Sequence, residues 1–205
     1  MIKKDINQND ILNSELLHIL DYNYIFDKDP IKRIKTKPTL ENTISRLEIL
    51  KKNIEAIQNC NLKKNASKIV FADGNVQSSI MIIGEGPGQK EDEIGKPFVG
   101  DAGNLLNKML AAINIEREKI YITNVVNYRP PNNRKPEPSE INTYSKYLKE
   151  HISIIDPKIL ILMGSTAMEA LLGSNKRISK ERGQWKEVII KQKNYKTIVT
   201  FHPAY

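Results

Sequence analysis

Short apolar runs alternate with helical patterns throughout the chain after Cys60. Runs that are typical of buried strands cover residues 79–84, 119–124, 158–163, 185–190 and 197–201. Apolar residues at helical spacing cover residues 102–113, 138–155 and 165–172. This alternation predicts an α/β fold in which a parallel sheet carries helices on both faces. In such sheets ligands bind beyond the carboxyl ends of the strands, and each unusual motif of this chain follows a predicted strand.

The part of the chain before Cys60 has a different character. Residues 10–22 and 40–58 both show helical periodicity, and a charged stretch with two prolines lies near residues 26–40. We therefore predict an N-terminal helical extension over residues 1–58, with a linker near 26–40, and a main domain over residues 59–205. The extension either packs on its own domain, which we favour, or docks a partner protein.

Composition narrows the class of protein. The 205 residues carry a net charge of +8, which suits a polyanionic partner but is equally compatible with a lysine-rich composition. Cys60 is the single cysteine, so a disulfide framework is excluded and the reducing cytosol is the expected compartment. No apolar run approaches the roughly 18 residues that a membrane span requires. We expect a cytoplasmic monomer that does not bind membranes.

A glycine-rich turn, GEGPG at residues 84–88, follows the first predicted strand. Its glycines allow backbone N–H groups to approach a ligand such as a phosphate, although the turn lacks the Walker and dinucleotide-binding patterns. A turn of this kind can also be purely structural. The acids Glu91 and Asp92 and the segment PFVG at residues 97–100 come next, and they favour a pocket.

Two further motifs follow strands. Asn124 ends the second predicted strand, and its amide presents a donor beside an acceptor, which matches the edge of a pyrimidine base or simply caps a loop. The segment YRPPNNR at residues 128–134 either touches phosphates or forms a rigid turn. His202 follows the last strand at the expected ligand edge, whereas His18 and His151 lie in predicted helices and suggest structural roles.

In combination, these motifs resemble family 4 of the uracil-DNA glycosylases. The resemblance rests on GEGPG with Glu91, PFVG, Asn124 before RPP, RG-x-W at residues 182–185 and HPAY at residues 202–205, all in family order. It implies a three-layer α/β/α sandwich with a central, mostly parallel sheet. It also implies base excision repair: hydrolysis of the N-glycosidic bond of a flipped deoxyuridine, in single- or double-stranded DNA, to leave an abasic site.

The resemblance assigns a role to each motif. It implies that Phe98 stacks on uracil, that Asn124 reads its Watson–Crick edge, and that Glu91 excludes thymine by crowding C5. Catalysis is expected from Glu85, which positions the water, and from His202, which donates a hydrogen bond to the uracil carbonyl. The expected substrate-binding residues are Gly84, Gly86, Glu91, Phe98, Asn124 and His202, and the expected DNA-binding residues are Arg129, Asn133 and Arg134.

The chain departs from the family at its cofactor. Family 4 holds a four-iron, four-sulfur cluster on four cysteines, and of these positions only the first is cysteine, at Cys60. Lys63, Tyr128 and Tyr144 stand at the other three positions. One thiolate cannot hold such a cluster. We therefore predict no cofactor and no metal, as in a cluster-free branch of the family, with the two tyrosines filling the vacated volume.

The sequence also ends at Tyr205, where the family continues into a leucine-bearing loop that wedges into the duplex. The expectation is a truncated enzyme that is impaired on duplex DNA and least affected on single strands. Two other functions stay open: a decayed glycosylase that binds uracil-containing or single-stranded DNA without turnover, and a nucleotide-binding accessory protein. Nothing in the sequence is placed for the Mg²⁺-dependent chemistry that the latter suggests.

Overall fold

The computed structural model describes residues 38–173 and 175–204. The predicted helix at residues 10–22 and most of the predicted linker lie outside this part of the chain. The described helices are α1 (Leu40–Glu55), α2 (Asn61–Asn65), α3 (Gln89–Ile94), α4 (Asp101–Ala112), α5 (Pro138–Ile155), α6 (Ser165–Leu172) and α7 (Ile178–Glu181). The strands are β1 (Asp73–Gly74), β2 (Ile80–Gly84), β3 (Tyr121–Asn124), β4 (Ile159–Met163), β5 (Trp185–Ile190) and β6 (Lys193–Thr200).

The strands form one sheet in the order β1-β3-β2-β4-β6-β5. The four central strands run parallel, and β1 and β5 pair with them in the antiparallel direction at the two edges. The predicted mostly parallel α/β sheet is therefore confirmed. The antiparallel edge at β5 was not predicted. Lys191 and Gln192 both have positive φ, at 47° and 64°, so two residues close a tight hairpin between β5 and β6.

Strand β2 supplies both faces of the sheet with core residues. Met81 and Ile83 belong to the larger apolar cluster, whereas Ile82 belongs to a second cluster with Leu106 of α4. All three β2 side chains are completely buried. Because successive side chains of a strand point to opposite faces, burial of the whole run requires cover on both sides. The result is the expected three-layer sandwich.

Helix α1 belongs to this same core. Leu47, Leu50 and Ile54 are buried in the larger cluster, and α1 packs against α5. The compact unit that contains α1 begins at Pro38. The predicted domain boundary between residues 58 and 59 stays a prediction. None of the helices in the described residues is long and apolar enough to cross a membrane.

Candidate active site

The carboxyl ends of β2 and β3 bring the first pocket residues together. Gly84 is paired with Asn124 in the parallel register. A Cβ atom on Gly84 would lie 2.5 Å from the Asn124 Oδ1 atom and 2.5 Å from the Phe98 Cε2 atom. Only glycine leaves room for the ring and the amide at this point. Gly84 therefore acts as the floor against which two predicted ligand-binding side chains pack.

A pocket of about 460 Å³ opens at this edge of the sheet. The predicted site residues in its wall are Glu85, Gly86, Glu91, Phe98, Asn124, Asn133, Arg134 and His202. Two other predicted site residues, Gly84 and Arg129, are not in the wall. Motifs that lie more than a hundred positions apart in the sequence thus meet in one cavity, because all of them follow parallel strands.

Phe98 forms an aromatic wall of the pocket. Its side chain is 5% exposed, and its ring stacks on the imidazole of His202 with ring centroids 5.4 Å apart. The Phe98 backbone has a φ of 53°, an uncommon conformation for a residue with a large side chain. Such a conformation persists only where the surroundings impose it.

Arg117 holds the Phe98 loop in place. Its guanidinium donates to the carbonyl oxygens of Pro97 at 2.7 Å and Phe98 at 3.1 Å, and it pairs with Asp73 at 3.0 Å. Helix α4 approaches the same loop so closely that a Cβ atom on Gly103 would lie 2.0 Å from the Phe98 carbonyl oxygen. Arg117 and Gly103 were not predicted, since neither follows a strand or belongs to a recognisable motif.

The hydrogen bonding of His202 fixes its tautomer. Its Nδ1 atom accepts a hydrogen bond from the Ala204 N–H at 3.2 Å, so the neutral imidazole carries its proton on Nε2. Burial lowers the pKa of His202, and the carboxylates of Glu85 and Glu91 oppose that effect. The site therefore presents a neutral ring with an Nε2–H donor.

Glu85 is oriented by a residue that was not predicted from the sequence. The completely buried Thr166 donates from its Oγ1 atom to the Glu85 Oε2 atom at 2.5 Å. No other hydrogen bond to the Glu85 carboxylate occurs within the described residues, which leaves Oε1 for a ligand. A Gly-Ser-Thr sequence directly after β4 was the available signal, because it stands at the same sheet edge as the other motifs.

Asn124 contributes to the pocket wall an amide that has no hydrogen-bond partner among the described residues. Its side chain is 3% exposed, yet its amide forms no hydrogen bond in the part of the chain that the structure describes. A buried amide without partners is costly, and nearly all such groups in proteins are satisfied. Because Asn124 lies in the pocket wall, a ligand can supply the missing donor and acceptor.

Glu91 has a different environment from the one expected. Its carboxylate accepts backbone N–H groups from Gly88 at 3.1 Å, Val99 at 2.9 Å and Gly100 at 2.7 Å. It therefore ties the glycine-rich turn to the start of α4 while forming part of the pocket wall. Its expected role against thymine stays a prediction.

The predicted DNA-binding loop lies at the mouth of the pocket. Arg134 forms two hydrogen bonds with the Glu140 carboxylate, at 2.7 and 2.8 Å, and Arg129 donates to the Asn133 side chain at 2.7 Å. These contacts make the loop rigid. Contact of these three residues with DNA stays a prediction.

At the four positions that the resemblance assigns to an iron–sulfur cluster stand Cys60, Lys63, Tyr128 and Tyr144. Tyr128 and Tyr144 are buried, and the Cys60 Sγ atom lies 3.3 Å from the Tyr144 hydroxyl. Lys63 extends instead to the Glu55 carbonyl oxygen. Among the described residues, no three His, Cys, Asp or Glu side chains are grouped as metal ligands. One thiol among tyrosines does not fit a cluster that requires four thiolates.

Most of the chain is similar to one known protein family. The family model described as the uracil DNA glycosylase superfamily matches residues 71–205. The chain belongs to the uracil-DNA glycosylase superfamily. A type-4 uracil-DNA glycosylase of Thermotoga maritima is 39% identical over 160 residues, covering 78% of this chain and 82% of that protein. A type-4 uracil-DNA glycosylase of Sulfurisphaera tokodaii is 40% identical over 166 residues, covering 77% and 74%.

The type-5 branch of the superfamily is represented by a more distant match. A type-5 uracil-DNA glycosylase of Pyrobaculum aerophilum is 27% identical over 114 residues, covering 48% of this chain and 50% of that protein. The type-4 relatives match a larger share of the chain at higher identity. The predicted resemblance to the type-4 glycosylases is therefore confirmed.

Proposed function

We propose that this glycosylase hydrolyses the N-glycosidic bond of deoxyuridine in DNA and leaves an abasic site for base excision repair. The observation that carries the proposal is the unpartnered amide of Asn124, which lies beside the Phe98 ring and faces the same pocket as His202. An aromatic face, an amide and an imidazole N–H are the groups that a pyrimidine with carbonyl oxygens requires.

The pocket selects uracil after the base has left the helical stack. Unstacking costs a few kcal/mol, which is offset when the base packs on Phe98 and its edge is bound. The Asn124 amide pairs with the uracil O4 and N3–H groups, whereas cytosine would present an amine and an unprotonated nitrogen there. That mismatch leaves polar groups buried without partners. Glu91, tied to three backbone N–H groups, forms the rigid wall that we assign to the exclusion of a C5 methyl group.

Bond cleavage places negative charge on the departing base. As the N1–C1′ bond breaks, its electron pair moves into the uracil ring, and the His202 Nε2–H group stabilises the charge at the O2 atom. Glu85 holds a water molecule through its free Oε1 atom, and its charge stabilises the cationic sugar. The water oxygen bonds to C1′, Glu85 accepts the proton, and the uracil anion is protonated by solvent.

The direct test is turnover on a labelled oligonucleotide with one deoxyuridine, offered both as a single strand and as a duplex. We expect abasic product from the wild-type protein and a large loss of rate in Asn124→Ala, because its pocket no longer reads the base edge. A matched oligonucleotide with cytosine should not react. Binding of the uracil strand without any abasic product would instead identify a decayed glycosylase that serves as a binding module.

We further propose that the protein works without an iron–sulfur cluster. The support is the set of side chains at the four cluster positions: one thiol, which contacts the Tyr144 hydroxyl, two buried tyrosines and a lysine. Iron and sulfide analysis of protein purified without oxygen tests this, and Cys60→Ser should retain activity. Near-stoichiometric iron that is lost in Cys60→Ser would overturn the proposal.

The remaining expectations concern the setting of the reaction. We propose that the protein acts as a cytoplasmic monomer and that Arg129, Asn133 and Arg134 contact the DNA beside the pocket. Sedimentation with and without a uracil-containing single strand should show a complex with one protein chain.

A further inference from the structure

Two basic segments, residues 129–135 and 176–182, each contribute residues to the pocket wall, and they differ in how their charges are paired. We call Arg129, Arg134 and Lys135 the first rim, and Lys176, Arg177, Lys180 and Arg182 the second rim. In the first rim, Arg134 is bound to Glu140 and Lys135 lies 3.1 Å from Glu169. Much of the positive charge of that rim is therefore already neutralised by carboxylates of the same chain.

The second rim keeps its positive charge. Arg177 and Lys180 are exposed, and neither forms an ion pair or a side-chain hydrogen bond with any residue that the structure describes. Glu181 is the only acid in the segment from residue 175 to 182, and it is bound to Lys186 with Lys176 at 4.0 Å. The segment thus presents free cations to solvent.

The second rim lies next to the pocket in the fold. Ile178, which lies between these cations, forms part of the pocket wall, and α7 packs against β6. The Arg182 guanidinium stacks over the Phe201 ring at 4.7 Å, and Phe201 is also in the wall. The charges are therefore held beside the cavity that receives the base.

We propose that the second rim binds the phosphates of the DNA strand that carries the flipped nucleotide, and that it supplies more of the electrostatic binding than the first rim. The inference rests on the proposed function. A flipped base remains attached to its strand, so the flanking phosphates must pass over the border of the pocket. Free cations release counterions from DNA when they bind, whereas a cation that already has a carboxylate partner adds little net charge.

The test compares the salt dependence of DNA binding in matched variants of the full chain. The probe is a single strand with thymine in place of uracil, which reports backbone binding without cleavage. For Arg177→Ala/Lys180→Ala, we expect about tenfold weaker binding at low salt and a decrease of about 1.4 in the slope of log K against log salt, at about 0.7 per lost phosphate contact. The variant Arg177→Lys should keep most of the wild-type slope.

Two controls separate this surface from net charge alone. Lys51→Ala/Lys52→Ala removes the same charge from the exposed side of α1, and Lys135→Ala/Glu169→Ala removes one ion pair of the first rim as a unit. Both should leave the slope near its wild-type value. An unchanged slope in Arg177→Ala/Lys180→Ala, or an equal decrease in the α1 control, would overturn the inference. Excision by the wild-type protein, measured in parallel on the uracil strand, reports separately on the proposed function.

Discussion

The pocket and the buried face of helix α5 both contain polar side chains, but they differ in whether those side chains have hydrogen-bond partners within the protein. Beneath α5, the Tyr121 hydroxyl lies 2.8 Å from the His151 Nε2 atom, and Cys60 lies against Tyr144. In the pocket, the Asn124 amide has no hydrogen-bond partner among the described residues. Hydrogen-bonded buried groups stabilise the fold, whereas an unpartnered amide in a pocket wall is free to bind a ligand.

The two histidines show the same contrast in their charge. Burial lowers the pKa of His151 to about 3, and none of the described carboxylates opposes this effect. Burial also lowers the pKa of His202, but Glu85 and Glu91 counteract it. One histidine is therefore a fixed neutral part of the core, whereas the other keeps carboxylates within reach as a reacting group requires.

The largest expected effect is on the core side of this comparison. Tyr144 is 1% exposed, so Tyr144→Ala should lower the free energy of unfolding by about 3 to 5 kcal/mol, as other large aromatic truncations do. Urea denaturation measures this. The control Tyr144→Phe removes only the contact with Cys60 and should cost about 1 kcal/mol. If both variants are equally stable, the tyrosine does not hold this part of the core.

The second-largest expected effect is on the rate of uracil excision and comes from a change in the pocket. His202→Ala should decrease the rate of uracil excision by about 10² to 10³, or about 3 to 4 kcal/mol of transition-state stabilisation, because it removes the donor to the developing anion. Its unfolding free energy should change little, since His202 lies at the cavity and not within the core. Single-turnover kinetics and urea denaturation separate the two quantities. If the unfolding free energy fell by as much as the transition-state stabilisation, His202 would be a core residue and not a pocket residue.

A smaller effect follows from the pKa of His151. The unfolded chain binds a proton at this residue below about pH 6.5, whereas the folded chain does so only near pH 3. The neutral folded form therefore loses stability as the pH falls below about 6.5, by about 2 kcal/mol between pH 6.5 and about pH 5. His151→Gln should show a shallower pH dependence in the same urea titrations. An identical pH profile would assign the effect to other groups.

The smallest effect concerns the support of the pocket. Arg117→Lys keeps the charge but cannot reproduce the planar fork that reaches Asp73 and two carbonyl oxygens. We expect roughly a tenfold loss of kcat/KM on uracil-containing DNA, since a slight displacement of Phe98 weakens the packing of the base. Free uracil should also inhibit less well. The control Lys119→Arg, at an exposed position nearby, should behave as wild type.

Several elements followed from local sequence alone. Helices Pro138–Ile155 and Ser165–Leu172 begin and end where periodicity and capping residues predicted, and strands β2, β3 and β4 begin only one or two residues later than predicted. Helix α3 was missed because six residues between glycines carry no periodicity. The start of β6 at Lys193 was missed because it depends on pairing with β5.

The sequence by itself determined which residues meet at the pocket, because motifs that follow parallel strands must lie at one edge of the sheet. Glu85, Phe98, Asn124 and His202 were identified in this way. Only the tertiary structure decided which groups hold the pocket side chains. Thr166 donates a hydrogen bond to Glu85, Arg117 donates to the Phe98 carbonyl oxygen, and three backbone N–H groups donate to Glu91. Thr166 and Arg117 come from segments that are distant in the sequence, and all of these contacts depend on packing distances that no spacing in the chain encodes.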